Sequence, residues 1–260
     1  MNLSKFSRRA LLLGSAGLAA APLLAQTADG PAPRYAVLSI LGDQITLVGY
    51  RPPTGSNLDR NDHKVLPVHA PVLDNSTLLA VDDAIKRLQP KAATLLLASR
   101  DPKLFELQEQ SLDTPGDAAE SVAAIKVLLQ QSKATRLILV SPYRSEARFQ
   151  LVGELSGSGK ISGLGFYVDR VSRVTRTESG EVGTGYLAPF AYFAMRLIDA
   201  NAMTTISRKL VTESEVVPTS AAKNATVPWD TLTNDQKVEM LQSLIRRGVD
   251  RVMPELLRGT

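Results

Sequence analysis

Two apolar, β-rich runs open the patterned part of the chain: Tyr35-Ala-Val-Leu-Ser-Ile40 and Gln44-Ile-Thr-Leu-Val-Gly-Tyr50. The short turn signal Leu41-Gly42-Asp43 between them predicts a β-hairpin. A polar stretch with prolines follows, without a clear period, and predicts a long loop over 51–73 with room for a short strand at Val65 to Val68. From Asp74 the period becomes helical: Leu78, Val81, Ile85 and Leu88 recur at three and four residues, Asp74 or Ser76 is placed to cap the first turn, and Pro90 ends the helix.

Ala92-Ala-Thr-Leu-Leu-Leu-Ala98 is a continuous apolar run of strand length, the pattern of a strand covered on both faces. A short helix is expected around Leu104 to Gln110, and a longer one from Ala118 to Lys133 with Val122, Ile125, Leu128 and Leu129 on one face. That helix leads into the apolar strand Thr135 to Ser141. Between Ala147 and Leu187 the pattern reads as hairpins, with strands at Phe149–Val152 and Gly165–Asp169 and a turn at Glu178 to Gly185. Two more strands, Tyr186 to Ile198 and Met203 to Val211, flank the turn Asp199-Ala-Asn-Ala202. A loop over 212–232 precedes a last helix, which opens on the capping box Thr233-Asn-Asp-Gln236 and carries Leu241, Ile245, Val249 and Val252 on one face before Pro254. These elements specify an α/β fold: one domain over residues 35–257, with a mixed β-sheet built from several hairpins and covered by three or four helices.

The first 26 residues lack this logic. A basic head with Lys5, Arg8 and Arg9 is followed by an apolar, Ala- and Gly-rich run that ends in small residues, the layout of a cleavable export signal. Ser7-Arg8-Arg9-Ala10-Leu11-Leu12 resembles the twin-arginine signal, with Leu11 where Phe is usual. That resemblance implies export through the twin-arginine pathway to the periplasm; the small residues that end the apolar run predict cleavage after Ala25, and the polar residues that follow predict a linker over 27–34. No transmembrane helix is expected once the signal is removed.

Composition narrows the chemistry. The 260 residues contain no Cys, which excludes a disulfide framework, a thiol nucleophile and a thiolate metal site. The formal charge of +4 falls to +1 when Lys5, Arg8 and Arg9 leave with the signal. No cluster of Lys and Arg interleaved with aromatics follows, so nucleic-acid binding is not expected.

Most local motifs fail on their chemistry. Ile40-Leu-Gly-Asp-Gln44 resembles the first block of SGNH-type hydrolases, but Gln44 stands at the nucleophile position and both histidines, His63 and His69, lie too early to serve as its base. Asp59-Arg-Asn-Asp-His63 begins like a calcium loop without the required Gly and Glu. Ser220-Ala-Ala-Lys223 fits the Ser-x-x-Lys pattern in a loop context that does not suit it. Gly157-Ser-Gly-Lys160 precedes Ile161 rather than Ser or Thr, as a phosphate-binding loop would not. Asp43, His63, His69 and Asp74 remain as the one grouping a hydrolase could use. No metal site and no cofactor is identifiable.

The densest aromatic and glycine clusters are Gly163 to Asp169 and Gly183 to Phe190. Gly165, Phe166, Tyr167, Tyr186, Phe190 and Tyr192 are therefore the candidate binding surface, with core packing in a twisted hairpin as the competing reading. Met195 to Ile206, two strands about a central Asp turn, is similar to a hairpin in periplasmic modules of the TolB N-terminal and CsgG kind. The resemblance is one of fold, to modules that associate with outer-membrane assemblies. The export signal, the mixed sheet, the lack of a usable catalytic constellation and the C-terminal amphipathic helix together predict a soluble exported envelope protein with a non-enzymatic binding or assembly role and an envelope protein as partner. The competing expectation is a periplasmic hydrolase using the carboxylates and histidines of residues 43–74.

Overall fold

The computed structural model describes residues 32–42, 44–52, 59–68, 71–98, 119–175, 180, 182–219 and 227–259. The export signal with Arg8 and Arg9, the helix expected around Leu104 to Gln110, and the Ser220–Lys223 motif lie outside the described residues, as do Asp43 and His69. Residues from Ala32 onward form one compact unit.

The strand β10 (Val182–Asp199) organises the sheet. Along one of its edges two strands lie end to end: β9 (Lys160–Thr175) pairs antiparallel with Val182 to Tyr192, and β5 (Arg136–Pro142) pairs antiparallel with Phe193 to Asp199. Its other edge carries β11 (Thr205–Ser214) from Phe190 to Ile198 and the two-residue β12 (Val217–Pro218) at Tyr186 and Leu187. Beyond β5 stand the parallel strands β1 (Arg34–Ser39) and β4 (Ala93–Leu97), with β1 in the middle. Beyond β9 stand β2 (Gln44–Gly49), parallel to β9, and β3 (Asp62–Pro67), antiparallel to β2. The fold is thus mixed α/β with a large mixed sheet, and β2–β3, β9–β10 and β10–β11 are hairpins.

The expected β1–β2 hairpin does not form. β1 lies beside β5 and β2 beside β9, and since β5 and β9 run the same way along one edge of β10, β1 and β2 are successive stretches of one path. Gly42 kinks that path at φ 79° instead of reversing it. The physical reason is the burial of β1, whose Tyr35 to Ser39 are all buried: a strand covered on both faces takes parallel neighbours on both edges, as β4 and β5 supply. β4 itself is the edge strand, with Leu95 42% exposed, so its apolar run is not covered on both faces.

Among the described residues three α-helices cover the sheet. α1 (Val72–Leu88) and α3 (Asn234–Leu256) share one face, burying Val81, Ile85, Leu241 and Ile245 against Val37, Ile138, Phe193 and Met195. α2 (Ala119–Ser132) lies on the other face, with Ile125 and Leu129 against Leu38, Leu137 and Leu139. The capping box of α3 forms as expected, Gln236 N donating to Thr233 Oγ1 at 3.2 Å and Thr233 N to Gln236 Oε1 at 2.9 Å. α1 has no side-chain cap; Asp74 is in its first turn and serves β1 instead. The loop expected over 51–73 holds β3 and the start of α1, and that over 212–232 holds the end of β11, β12 and a 3-10 turn (Pro228–Thr231).

α3 is tied to β11 by charge as well as by packing. Glu213, buried on β11, receives Arg247 Nε at 2.8 Å and Arg251 Nη1 at 2.8 Å. Both arginines are about half exposed, which limits the gain. Glu213→Ala is expected to cost about 2 kcal/mol, charged hydrogen bonds being worth roughly 1.5–3 each before solvent screening. Over a chain of this size that lowers the thermal midpoint by about 4–8 °C. Glu215→Ala, whose carboxylate is half exposed and 3.6 Å from Arg247, serves as the control and should move it by no more than about 1 °C.

Candidate functional site

The residues of the hydrolase grouping that the structure describes do not meet. His63 stands on β3 opposite Val48, on the sheet face that carries Tyr167 and Tyr186. Asp74 belongs to α1 on the opposite face, where it accepts hydrogen bonds from Ser39 Oγ and from Gly42 N. His63 Nε2 instead lies 3.7 Å from the Asp59 carboxylate. Asp59 works as a clasp: it accepts from Asn61 N at 3.0 Å and from Lys160 N at 2.9 Å. Its slight burial opposes ionisation, but these amide donors and the His63 ring hold its carboxyl below the usual range. Gly159 is the glycine this clasp requires, since a Cβ there would lie 2.4 Å from Asp59 Oδ1. Among the described residues no three His, Asp or Glu side chains converge as metal ligands would.

The expected aromatic surface is interior. Tyr167, Tyr186, Phe190 and Tyr192 are buried on one face of the β9–β10 ribbon, under Ala147, Phe149 and Leu151. Phe149 packs 4.8 Å from Tyr167, which stacks on Tyr186 at 6.4 Å. Strand alternation sends Phe166 to the opposite face. Gly165 allows a close approach, but the backbone that approaches is Thr46 of β2, whose carbonyl oxygen would be 2.0 Å from an added Cβ. Packing within the ribbon therefore accounts for this cluster.

Two cavities lie on the Phe166 face, over strands β2, β3 and β9. Three rows make the floor: Ile45, Leu47 and Gly49 on β2, opposite Leu66, Lys64 and Asp62 on β3; and Phe166, Val168 and Arg170 on β9, with Phe166 opposite Leu47 and Val168 opposite Gly49. Alternate residues of a strand share a face, so the rows run unbroken for about 13 Å, apolar at one end and charged at the other. Over the apolar end is a cavity of about 380 Å³, closed by Leu73 of α1 and by Lys237, Val238 and Leu241 of α3. Over the charged end is one of about 640 Å³ that reaches Arg51, Asp62, Lys64 and Arg170. Trp229, from the 3-10 turn, is a wall of both. Both volumes fall in the range of about 300–1,000 Å³ typical of small-molecule sites.

Trp229 is fixed from two sides. Phe166 meets it edge-on with centroids 5.5 Å apart, and Lys237 Nζ lies 3.9 Å from its ring centroid. Lys237 is 6% exposed. Burial lowers its pKa from the ordinary lysine value, and Asp230 opposes that shift. Neither cavity is visible in a motif. The available signals are the only Trp of the chain, in Val227-Pro-Trp229, and a lysine set four residues before Leu241 on the apolar stripe of the last helix.

No protein-family model matches the chain, and no curated protein matches it. Solved structures to which it is similar include a hypothetical protein from Chlamydia trachomatis, at 12% identity and a TM-score of 0.37, covering 87% of this chain and 99% of that one. A PelC dodecamer from Paraburkholderia phytofirmans is similar at 8% identity and a TM-score of 0.33, covering 87% and 90%. A lipoprotein from Neisseria meningitidis is similar at 10% identity and a TM-score of 0.30, covering 87% and 99%.

Proposed function

We propose that this chain is an exported envelope protein that acts by binding rather than by catalysis, through the cavities about Trp229, in an assembly whose other member is an envelope component. The observation that carries the binding half is the continuous apolar-to-charged floor beneath Trp229. The separation of His63 and Asp74 on opposite sheet faces favours binding over a hydrolytic use of that pair. The export half rests on Arg8, Arg9 and the apolar run to Ala25. No helix among the described residues is long and apolar enough to cross a membrane.

Each half has its own test. Phenylnaphthylamine, a neutral apolar fluorophore, should bind at one saturable site per chain with energy transfer from Trp229, and Val238→Arg should abolish it. Absence of a saturable site removes the binding half. Intact mass of periplasmic material should show loss of the first 25 residues, and the pair Arg8→Lys with Arg9→Lys should leave the full-length chain in the cytoplasm. Unimpaired export of that pair overturns the twin-arginine route.

A further inference from the structure

Lys237 is an uncompensated cation in an apolar cavity. Among the described residues its ammonium group forms no hydrogen bond and no ion pair; it meets the face of Trp229 and the field of Asp230. Removing an ammonium from water is costly, and an aromatic face offsets only part of that cost. Nζ donates to no side chain among the described residues, beside a cavity whose other walls, Ile45, Leu66, Leu73, Phe166 and Leu241, are apolar; Asn234 is the one side chain of the lining that can accept a hydrogen bond. The outer cavity has the same sign. Arg51 is paired with Asp62 at 2.6 Å, whereas Lys64 and Arg170 have no ion-pair partner among the described residues.

We propose that the Trp229 cavities take a single-chain amphiphile with an anionic head, a carboxylate or a phosphate ester: its hydrocarbon chain lies on Ile45, Leu66 and Phe166, and its head is held by Lys237. This rests on the reading of these cavities as the binding site and adds the chemistry of the ligand. A neutral apolar ligand would leave the Lys237 donors unsatisfied and bury them further. A cationic one would meet Lys237, Lys64 and Arg170 with like charge. An anionic head turns the most expensive group in the cavity into a charge-assisted pair, and the outer cations draw it in.

The single tryptophan makes the test specific, because all indole emission from the chain reports this wall of the cavity. Laurate, lauryl phosphate, lauryl alcohol and lauryl trimethylammonium would be titrated against the signal-free chain below their micelle concentrations. Laurate or lauryl phosphate should bind at least about tenfold tighter than the alcohol, a factor that corresponds to 1.4 kcal/mol, and the cation should bind weakest. Which anion binds tighter identifies the head. In Lys237→Met the preference for anions over the alcohol should collapse while alcohol binding persists. Equal binding of the anions and the alcohol by the unaltered chain overturns the anionic ligand, and if phenylnaphthylamine still binds, the binding reading survives. An anion preference that persists in Lys237→Met but is lost in Lys64→Gln with Arg170→Gln overturns the assignment to Lys237. Failure of every probe, phenylnaphthylamine included, removes both readings.

Discussion

Gly165→Ala is expected to detach β2 and β3 from the sheet and to cost about 3 kcal/mol or more, the upper end of what overpacking costs. An added Cβ would lie 2.0 Å from the Thr46 carbonyl oxygen, 2.7 Å from Phe190 Cζ and 2.9 Å from the Thr46 carbonyl carbon. Two of those three atoms are backbone, so no rotamer change relieves the contact. β2 must move away from β9, and the parallel pairing of Thr46 to Gly49 with Gly165 to Val168 goes with it. Among the described residues β3 pairs only with β2, so both strands leave together. Gly49→Ala is the control: its Cβ would meet Asp62 Cβ at 3.6 Å, an ordinary contact, and its effect should stay within about 1 kcal/mol. Urea unfolding of the two variants measures the difference. Loss of β2 and β3 also removes Ile45, Leu47, Leu66 and Lys64 from the cavity floor, so phenylnaphthylamine binding should vanish in Gly165→Ala before global unfolding does. Equal stability of the two variants would refute the close approach.

The same glycine shows where sequence reasoning carries and where it stops. A Gly in a strand pattern announces close backbone approach, and that is what Gly165 permits; whether the approaching backbone belongs to a ligand or to β2 is a question of long-range pairing. Elements whose cause is local were legible. The Thr233–Gln236 box starts α3, and the turn at Asp199, whose Oδ1 accepts from Asn201 N and Ala202 N at 3.0 Å each, joins β10 to β11 as its residues predict. The β1–β2 link was misread because a turn signal specifies a change of direction and not its sense, and a φ of 79° at Gly42 serves a kink as well as a hairpin. The aromatic cluster was misplaced as a surface because Tyr carries a polar tip that sequence cannot locate. Here the tips of Tyr167 and Tyr186 are satisfied inside, by Ser158 N at 3.1 Å and Ser156 Oγ at 2.9 Å. The Trp229 site escaped because its lining comes from six elements far apart in sequence, and only the lone Trp and the misplaced-looking Lys237 hinted at it.

Those buried phenols give the second large effect, a variant that is less stable than the parent at neutral pH and more stable at alkaline pH. Burial pushes Tyr167 up to about 12, against an opposing hydrogen bond with Ser158. Burial likewise raises Tyr186, Tyr192 and Tyr35, opposed by hydrogen bonds to Ser156, to the Arg148 carbonyl and to Gln89. The neutral phenol is the form the fold accepts. A raised folded pKa therefore contributes stability that is complete below the unfolded value of 10.0 and is lost as pH rises towards the folded value. For Tyr167 alone, a rise from 10.0 to about 12 makes the loss about 2 kcal/mol by pH 12, at 1.36 kcal/mol per unit. Tyr167→Phe keeps the ring packed on Phe149 and Tyr186 but leaves Ser158 N without its acceptor, costing about 1 kcal/mol at neutral pH. It also removes the alkaline loss. The two stability curves should cross near pH 11, where the linkage term for one such phenol reaches about 1 kcal/mol. Urea midpoints taken at intervals from neutral to strongly alkaline pH, with phenolate absorbance followed in parallel, decide the matter. If Tyr167→Phe stays below the parent throughout, or if all the phenols ionise while ellipticity is unchanged, the ring cluster does not hold these groups neutral and the buried interface between the β9–β10 ribbon and residues 147–151 is wrongly described.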